Sequence, residues 1–370
     1  MEFRIESIVA RPLEVALEEP FTIATGRMVA TRAALVEVTL IDVETGARAT
    51  GLGEAAALPP VTREDLPELI DSIGSLSSRL ALSTVASDDP LALASGIARG
   101  HHETRDRPVA AAGVEVAALD AIARVRGVPL YALLGGERSV EFATRMASDV
   151  TIPIHEPAHM GELAEGWARR GFDCFKVKVG IDLASDVAGL AAIVERVPDA
   201  TLRIDANGGY SAREAIELFE RASRVGALIE CFEQPCARDD LEGMIAVTRA
   251  LPVPVVADES VRSVGELIEL LDRGGASGVN LKLVKSGPVE ALVIGRVANE
   301  RNIPVMMGAM VETRLGITAA AHVCAALGGV RFVDLDTAWL LREDPFVGGC
   351  RSEGPTITLP DGAGLAIGLA

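Results

Sequence analysis

Cys174-Phe175-Lys176-Val177-Lys178-Val179 is the stretch on which the fold turns. It is short and β-rich. Its two lysines stand two residues apart, so in a strand they face the same way. A lone Lys-x-Lys is as readily a solvated face as a site, so its meaning depends on what surrounds it. Similar β-rich runs recur at 142–152, 202–206, 228–233, 253–257, 278–284, 304–307 and 331–335, each followed by a helical segment. With the quoted run they make eight strands alternating with helices, the pattern of a closed parallel barrel. An open doubly wound sheet would carry a glycine-rich phosphate loop after its first strand, and the sequence has none.

The 370 residues leave room for a second, smaller module. Residues 1–40 alternate polar and apolar, as in Phe3, Ile5, Ile8 and then Leu35, Val36, Val38, Leu40, which predicts antiparallel strands. Gly51-Leu52-Gly53-Glu54 reads as a turn. From Thr62 to Gly135 the pattern is helical, with an alanine-rich stretch at 108–126. Pro129 to Gly136 reads as a short helix closed by glycine, a natural boundary. The expected fold class is α/β: a modified (β/α)8-type, or (β/α)7β, barrel over 131–343. An α+β capping domain over 1–130 is completed by the tail, 344–370.

Charged residues gather where the strands end. Lys178, Asp205, Glu233, Asp258 and Lys282 are separated by 27, 28, 25 and 24 residues, one strand-helix unit each. Lys282 is placed within the sixth strand. Asp334 and Asp336 close the eighth. Active sites of such barrels form at this rim. A single aspartate at a strand end is more often a helix cap or turn residue, and the Asp334/Asp336 pair is evenly balanced between cap and site. Three acids at the same end of three consecutive strands are hard to explain as caps. Lys285 is expected to be a surface lysine whose stem lies along apolar surface.

Converging carboxylates repel unless a cation lies between them, and hard oxygen donors favour Mg²⁺. No thiol or imidazole stands at these strand ends, which disfavours zinc. A lysine whose ordinary pKa is about 10.4 acts as a base only when burial, a second ammonium or a divalent cation lowers it, and Lys176 supplies such a neighbour to Lys178. Lys178 and Lys282, four strands apart on an eight-strand ring, face each other. One removes a proton α to a carboxylate, giving an enediolate, and the other returns one to the opposite face. That geometry suits an epimerase, and equally a dehydration or cycloisomerisation that uses only one lysine.

Composition narrows the partners. A net charge of −18 and only 4% aromatic residues argue against nucleic acid. No run of about 18 apolar residues predicts a membrane span. The start lacks the layout of a secretory signal, and five cysteines without a CxxC pair fit a reducing cytoplasm.

These segments together resemble the enolase superfamily, and within it the muconate lactonizing enzyme subgroup. The likeness rests on Lys176-Val-Lys178-Val-Gly180, Arg203-Ile-Asp205-Ala-Asn207, Glu233-Gln-Pro235, Ala257-Asp258-Glu259-Ser260 and Asn280-Leu-Lys282-Leu-Val-Lys285-Ser-Gly287. It implies one Mg²⁺ per subunit on Asp205, Glu233 and Asp258, with Lys178 and Lys282 as the acid/base pair and Asn207 and Glu259 supporting the metal ligands. Lysine bases with Mg²⁺ are a known pairing in that superfamily. Lys176 is implied to tune Lys178 and touch the substrate carboxylate. The segment 308–322 and Asp334-Leu-Asp336 are similar to the dipeptide epimerases, whose Asp-x-Asp holds the substrate's ammonium. That likeness implies a dipeptide substrate, with Met310 and Arg27 beside it, and a homo-oligomer. Asn207-Gly-Gly-Tyr210 and Ser286-Gly-Pro288 depart from the family's usual Asn-Gln-Gly-Trp and Ser-Gly-Gly. The competing readings are an o-succinylbenzoate synthase or N-acylamino acid racemase, a muconate-type cycloisomerase, and a barrel without enzymatic activity. The Asp334/Asp336 pair separates the dipeptide reading from the other two enzyme readings, whose substrates lack a free ammonium, and the presence of Lys178, Lys282 and all three metal acids argues against the inactive barrel.

Overall fold

The structure, a computed structural model, describes residues 1–135 and 143–370. The N-terminal part is a four-stranded antiparallel sheet. Across it the strands run Arg48–Ala57, Arg32–Asp42, Glu2–Leu13 and Thr84–Ala86. The alternating apolar residues Phe3, Ile5, Ile8, Val36, Val38 and Leu40 are buried. Helix Pro108–Arg126 packs on this sheet, and everything from Val109 to Ala123 is buried, as expected of a helix enclosed on all sides. Its small residues permit a close approach. A Cβ on Gly53 would lie 2.1 Å from the Gly113 carbonyl oxygen, so only glycine fits there. This corrects the reading of Gly51–Glu54 as a turn. These residues lie inside the strand Arg48–Ala57, and the glycines serve helix packing instead of chain reversal.

The same strand sends Glu54 into the barrel. Its buried carboxylate accepts hydrogen bonds from Thr313 N at 3.0 Å, Thr313 Oγ1 at 2.5 Å and Gly316 N at 3.0 Å. These groups open helix Arg314–Leu327, where free N–H groups and the helix dipole favour an acid.

The barrel has eight parallel strands adjacent in chain order: Val150–Ile152, Cys174–Lys178, Thr201–Asp205, Leu228–Glu233, Val255–Ala257, Gly278–Leu281, Val305–Gly308 and Val330–Asp334. A helix follows each of the first seven, which is the expected (β/α)7β order. The seam between first and eighth strands is closed by Asp149 N donating to Val333 O at 3.0 Å and Leu335 N donating to Ser148 Oγ at 2.8 Å. Inside the seam, the Arg203 guanidinium reaches Asp149 Oδ2 at 2.8 Å and Val333 O at 3.0 Å.

The first strand differs from the run expected at 142–152. Only Val150–Ile152 joins the barrel, while Arg145–Ala147 turns outward to pair antiparallel with Thr356–Thr358. Burial follows this division, with the first piece largely exposed and the second fully buried. Phe142, expected to open that strand, and Gly136, expected to close the preceding helix, lie outside the described residues. The C-terminal segment runs back to helix Pro108–Arg126. Leu365 N donates to Asp120 Oδ1 at 2.7 Å, and Arg124 reaches Ile367 O at 2.7 Å. A hairpin, Ala16–Ile23 with Gly26–Ala30, lies over the barrel mouth, tied down by Ile154 N donating to Thr22 O at 3.0 Å. No described helix is long and apolar enough to cross a membrane.

Candidate active site

Parallel pairing sets the rim. Asp205 is in register with Lys178 on one side and Glu233 on the other. Asp258 directly follows the fifth strand. Lys282 lies one residue beyond the sixth strand instead of within it, at the start of helix Leu283–Glu300. All five side chains are buried.

The amines and carboxylates interlock. Lys178 Nζ donates to Asp205 Oδ2 at 2.6 Å, and Lys282 Nζ lies 2.7 Å from Asp258 Oδ2. Lys176 Nζ contacts Asp205 Oδ2 at 3.1 Å, Glu233 Oε2 at 2.9 Å and Asp334 Oδ2 at 2.7 Å. Its ammonium therefore marks a position where two of the three expected metal ligands already hold a positive charge. The oxygen-only donors suit a hard cation there. Burial, and then the charges of Asp205 and Asp258, push Glu233 up to about 8. A cation among the three acids relieves that strain.

At Lys176 and Lys282 the balance favours the charged amine. Burial disfavours the charge on Lys176, but Asp334, Glu233 and Asp205 outweigh it and raise its pKa. Asp258 does the same for Lys282. A divalent cation among the carboxylates would shift both toward the neutral amine.

Supporting residues hold this arrangement. Asn207, in the left-handed region at φ 44°, accepts from Lys178 Nζ at 3.3 Å and donates to Glu259 Oε1 at 3.2 Å. Such backbone strain clusters at functional sites. Burial, followed by Asp258, pushes Glu259 up to about 7.

Three further residues, to which the sequence gives no part in the site, support it. Asn280 Nδ2 donates to Glu233 Oε1 at 2.8 Å. Its position two residues before Lys282 on one strand face was the available signal. Gln234 Oε1 accepts from Asp258 N at 2.9 Å, and its amide nitrogen donates to Ser260 Oγ at 2.8 Å. Lys285, expected at the surface, is buried. Its ammonium donates to Asp258 O at 2.6 Å, Asp258 Oδ1 at 2.7 Å and Asn280 O at 2.9 Å.

On the far side, Asp336 Oδ2 accepts from Thr151 N at 2.5 Å. Burial and the Asp334 charge push Asp336 up to about 6. A cavity of about 30 Å³ brings together Lys176, Lys178, Lys282, Asn207, Glu259, Met310, Asp334 and Asp336. Phe21 and Ile23 of the hairpin cover it. Arg27 is not among its lining residues. It is exposed on the second hairpin strand, and its charge reaches His155 instead.

Residues 5–135 match the mandelate racemase/muconate lactonizing enzyme N-terminal domain family, and residues 159–370 match the enolase C-terminal domain-like family. This chain belongs to the enolase superfamily. Among members of the superfamily, it is 38% identical to an L-Ala-D/L-amino acid epimerase from Populus trichocarpa, over 96% of this chain and 82% of the relative. A substrate-liganded L-Ala-D/L-Glu epimerase from Bacillus subtilis superposes with a TM-score of 0.90 at 33% identity, covering 99% of each chain. A dipeptide epimerase from Enterococcus faecalis, complexed with Mg and L-Leu-L-Tyr, superposes at 0.86 with 33% identity. It covers 98% of this chain and 99% of that one.

Proposed function

We propose that this chain is a Mg²⁺-dependent dipeptide epimerase that inverts the α-carbon of the C-terminal residue. One observation carries the reading. Lys178 and Lys282, from strands four apart in the ring, line a single cavity together with the acid pair Asp334 and Asp336. The relatives named epimerases of Ala-containing and other dipeptides support it.

Asp205, Glu233 and Asp258 would hold the ion. When bound, Mg²⁺ supplies positive charge that stabilises the substrate carboxylate as electron density moves onto it. Lys178 takes the α-proton from one face, and Lys282 delivers a proton to the other. In the reverse direction they exchange roles, as an epimerase requires. Asn207 steers the Lys178 amine. Lys176 meets the substrate carboxylate. Asp334 and Asp336 pair with the α-ammonium, so the substrate is anionic at one end and cationic at the other. The covered cavity keeps water from the reacting carbon. We assign the enzyme to the cytoplasm, since its five cysteines are all free thiols.

The test is a dipeptide library incubated with Mg²⁺ in D₂O, read by NMR and mass spectrometry. Deuterium should enter the α-position of the C-terminal residue. Turnover of N-succinyl amino acids or of a succinylbenzoate precursor, with no dipeptide exchanging, would reject the reading.

A further inference from the structure

Outside the proton-transfer site, three elements meet: the hairpin strand Ala16–Ile23, the loop after the first barrel strand, and the first turn of helix Pro157–Ala168. Glu19, His155 and His159 each present one ligand-type atom there, and the three atoms all lie within 4.8 Å of one another. Glu19 Oε2 is 3.2 Å from His159 Nε2. The two imidazoles meet edge to face, with centroids 4.9 Å apart. His155 Nε2 is shielded from water and has no hydrogen-bond partner among the described residues, an unusual state for a buried polar atom. Behind His159, Glu162 Oε2 lies 3.4 Å from Nδ1. A carboxylate on one ring nitrogen fixes the tautomer and aims the other nitrogen's lone pair, as is usual for metal-bound histidine.

We propose that Glu19, His155 and His159 form a binding site for a divalent transition-metal ion, Zn²⁺ by preference, distinct from the all-oxygen centre in the barrel. Two imidazoles and one carboxylate are a known Zn²⁺ donor set that leaves a fourth position for water. All-oxygen donors select Mg²⁺ instead. Zn²⁺ bond lengths place tetrahedral ligand atoms about 3.3 Å apart. Glu19 and His159 already meet that separation, and His155 needs only side-chain movement. Burial lowers the His155 pKa and so favours its neutral, ligating form, while Glu19 and Glu162 outweigh burial and raise that of His159, whose proton the ion has to displace.

The ion would add a further link between the hairpin and the barrel, which already meet through the Ile154 N to Thr22 O hydrogen bond and the buried cluster of Leu17, Phe21, Ile23 and Val311. Glu19 is carried by the same strand as Phe21 and Ile23, which cover the cavity. His155 and His159 belong to the barrel. Binding would clasp the hairpin over the site. The positive charge of Arg27, which reaches His155, opposes it and keeps the clasp reversible.

The experiment uses the full chain saturated with Mg²⁺, titrated with Zn²⁺ by calorimetry and with Co²⁺ by visible absorption. One Zn²⁺ per chain should bind beyond the Mg²⁺. His155→Asn and His159→Gln should each weaken it at least tenfold, and Glu162→Gln about tenfold. Hydrogen exchange of residues 16–30 should slow with Zn²⁺ in the wild-type chain and not in His159→Gln. These readouts need no substrate, so they stand or fall apart from the epimerase reading. Zn²⁺ binding that is unchanged in both histidine variants, or lost only in Asp205→Asn, would overturn the proposal. So would the absence of any bound Zn²⁺, which would leave an ordinary histidine–glutamate ion pair.

Discussion

Lys176 Nζ and Asp334 Oδ2 stand 2.7 Å apart, though 158 positions separate the residues in the chain. Their strands, the second and the eighth, flank the first strand of the barrel on either side, so the contact spans the first strand. The same ammonium also touches Asp205 and Glu233. One amine is thus shared between the acids proposed for the metal and the acids proposed for the substrate's ammonium. A ligand with a carboxylate and an ammonium at the right separation satisfies both groups at once.

Lys178→Ala and Lys282→Ala should each reduce epimerisation by roughly 10²- to 10⁴-fold, the usual range for a lost acid/base group. Each variant should lose deuterium exchange from one antipode and keep it from the other. NMR in D₂O on both antipodes decides this, and equal loss from both would contradict a two-lysine mechanism.

Asp336→Asn should lower kcat/KM for dipeptides by roughly 10²-fold, corresponding to about 3 kcal/mol for breaking a buried charge pair. Wild-type protein should discriminate strongly against N-acetylated dipeptides, and the variant much less. Undiminished discrimination would place the ammonium elsewhere.

Exhaustive chelation should abolish turnover, and added Mg²⁺ should restore it. Asp258→Asn should raise the Mg²⁺ needed for half-maximal rate by at least about tenfold, as loss of one charged ligand implies. Steady-state rates against free Mg²⁺ measure both, and full activity in the chelated enzyme would sink the metal assignment.

Lys285→Met should destabilise the fold by roughly 3–5 kcal/mol, because it strands the Asp258 carboxylate without one of its buried partners. A surface lysine would register less than about 0.5 kcal/mol. Urea unfolding monitored by circular dichroism separates the two outcomes.

His322 is buried in helix Arg314–Leu327, its Nδ1 accepting from Tyr131 N at 3.1 Å, and burial lowers its pKa to about 3 from 6.5. Between those values the unfolded chain binds more protons than the folded one. The stability it contributes is therefore complete above pH 6.5 and is lost as pH falls toward 3, at about 1.4 kcal/mol per unit. His322→Gln should flatten the dependence of the urea midpoint on pH between 7 and 5. An unchanged slope would exclude the effect.

The barrel was legible because its signal is repetitive. Each strand-helix unit returned a charged residue to the same rim, and two-residue alternation oriented Lys176 with Lys178. What escaped was set by tertiary context. Gly51 and Gly53 look like turn residues, and only the approach of helix Pro108–Arg126, at Ala117 and Ala121 for the first and at Gly113 for the second, shows why a strand needs them. Lys285 sits at helical spacing from Lys282 and looked peripheral until Asp258 and the Asn280 carbonyl enclosed it. The run at 142–152 carried no local mark of its division between two sheets, because the partner strand Thr356–Thr358 comes some two hundred positions later. Met310 and Arg27 entered by resemblance alone. The first lies on the cavity wall, and the second is exposed on the hairpin.

Glu54 rivets the N-terminal sheet to the amino end of helix Arg314–Leu327 through hydrogen bonds from three donor groups sheltered from solvent. The sheet cannot swing away from the ring without baring that acid and three donors together. Phe21 and Ile23 of the hairpin, with Leu58 and Val61 beside the sheet, are left as the smaller pieces that cover the cavity. A ring produced without residues 1–130 would start life with an open wound at that helix, and is expected to precipitate.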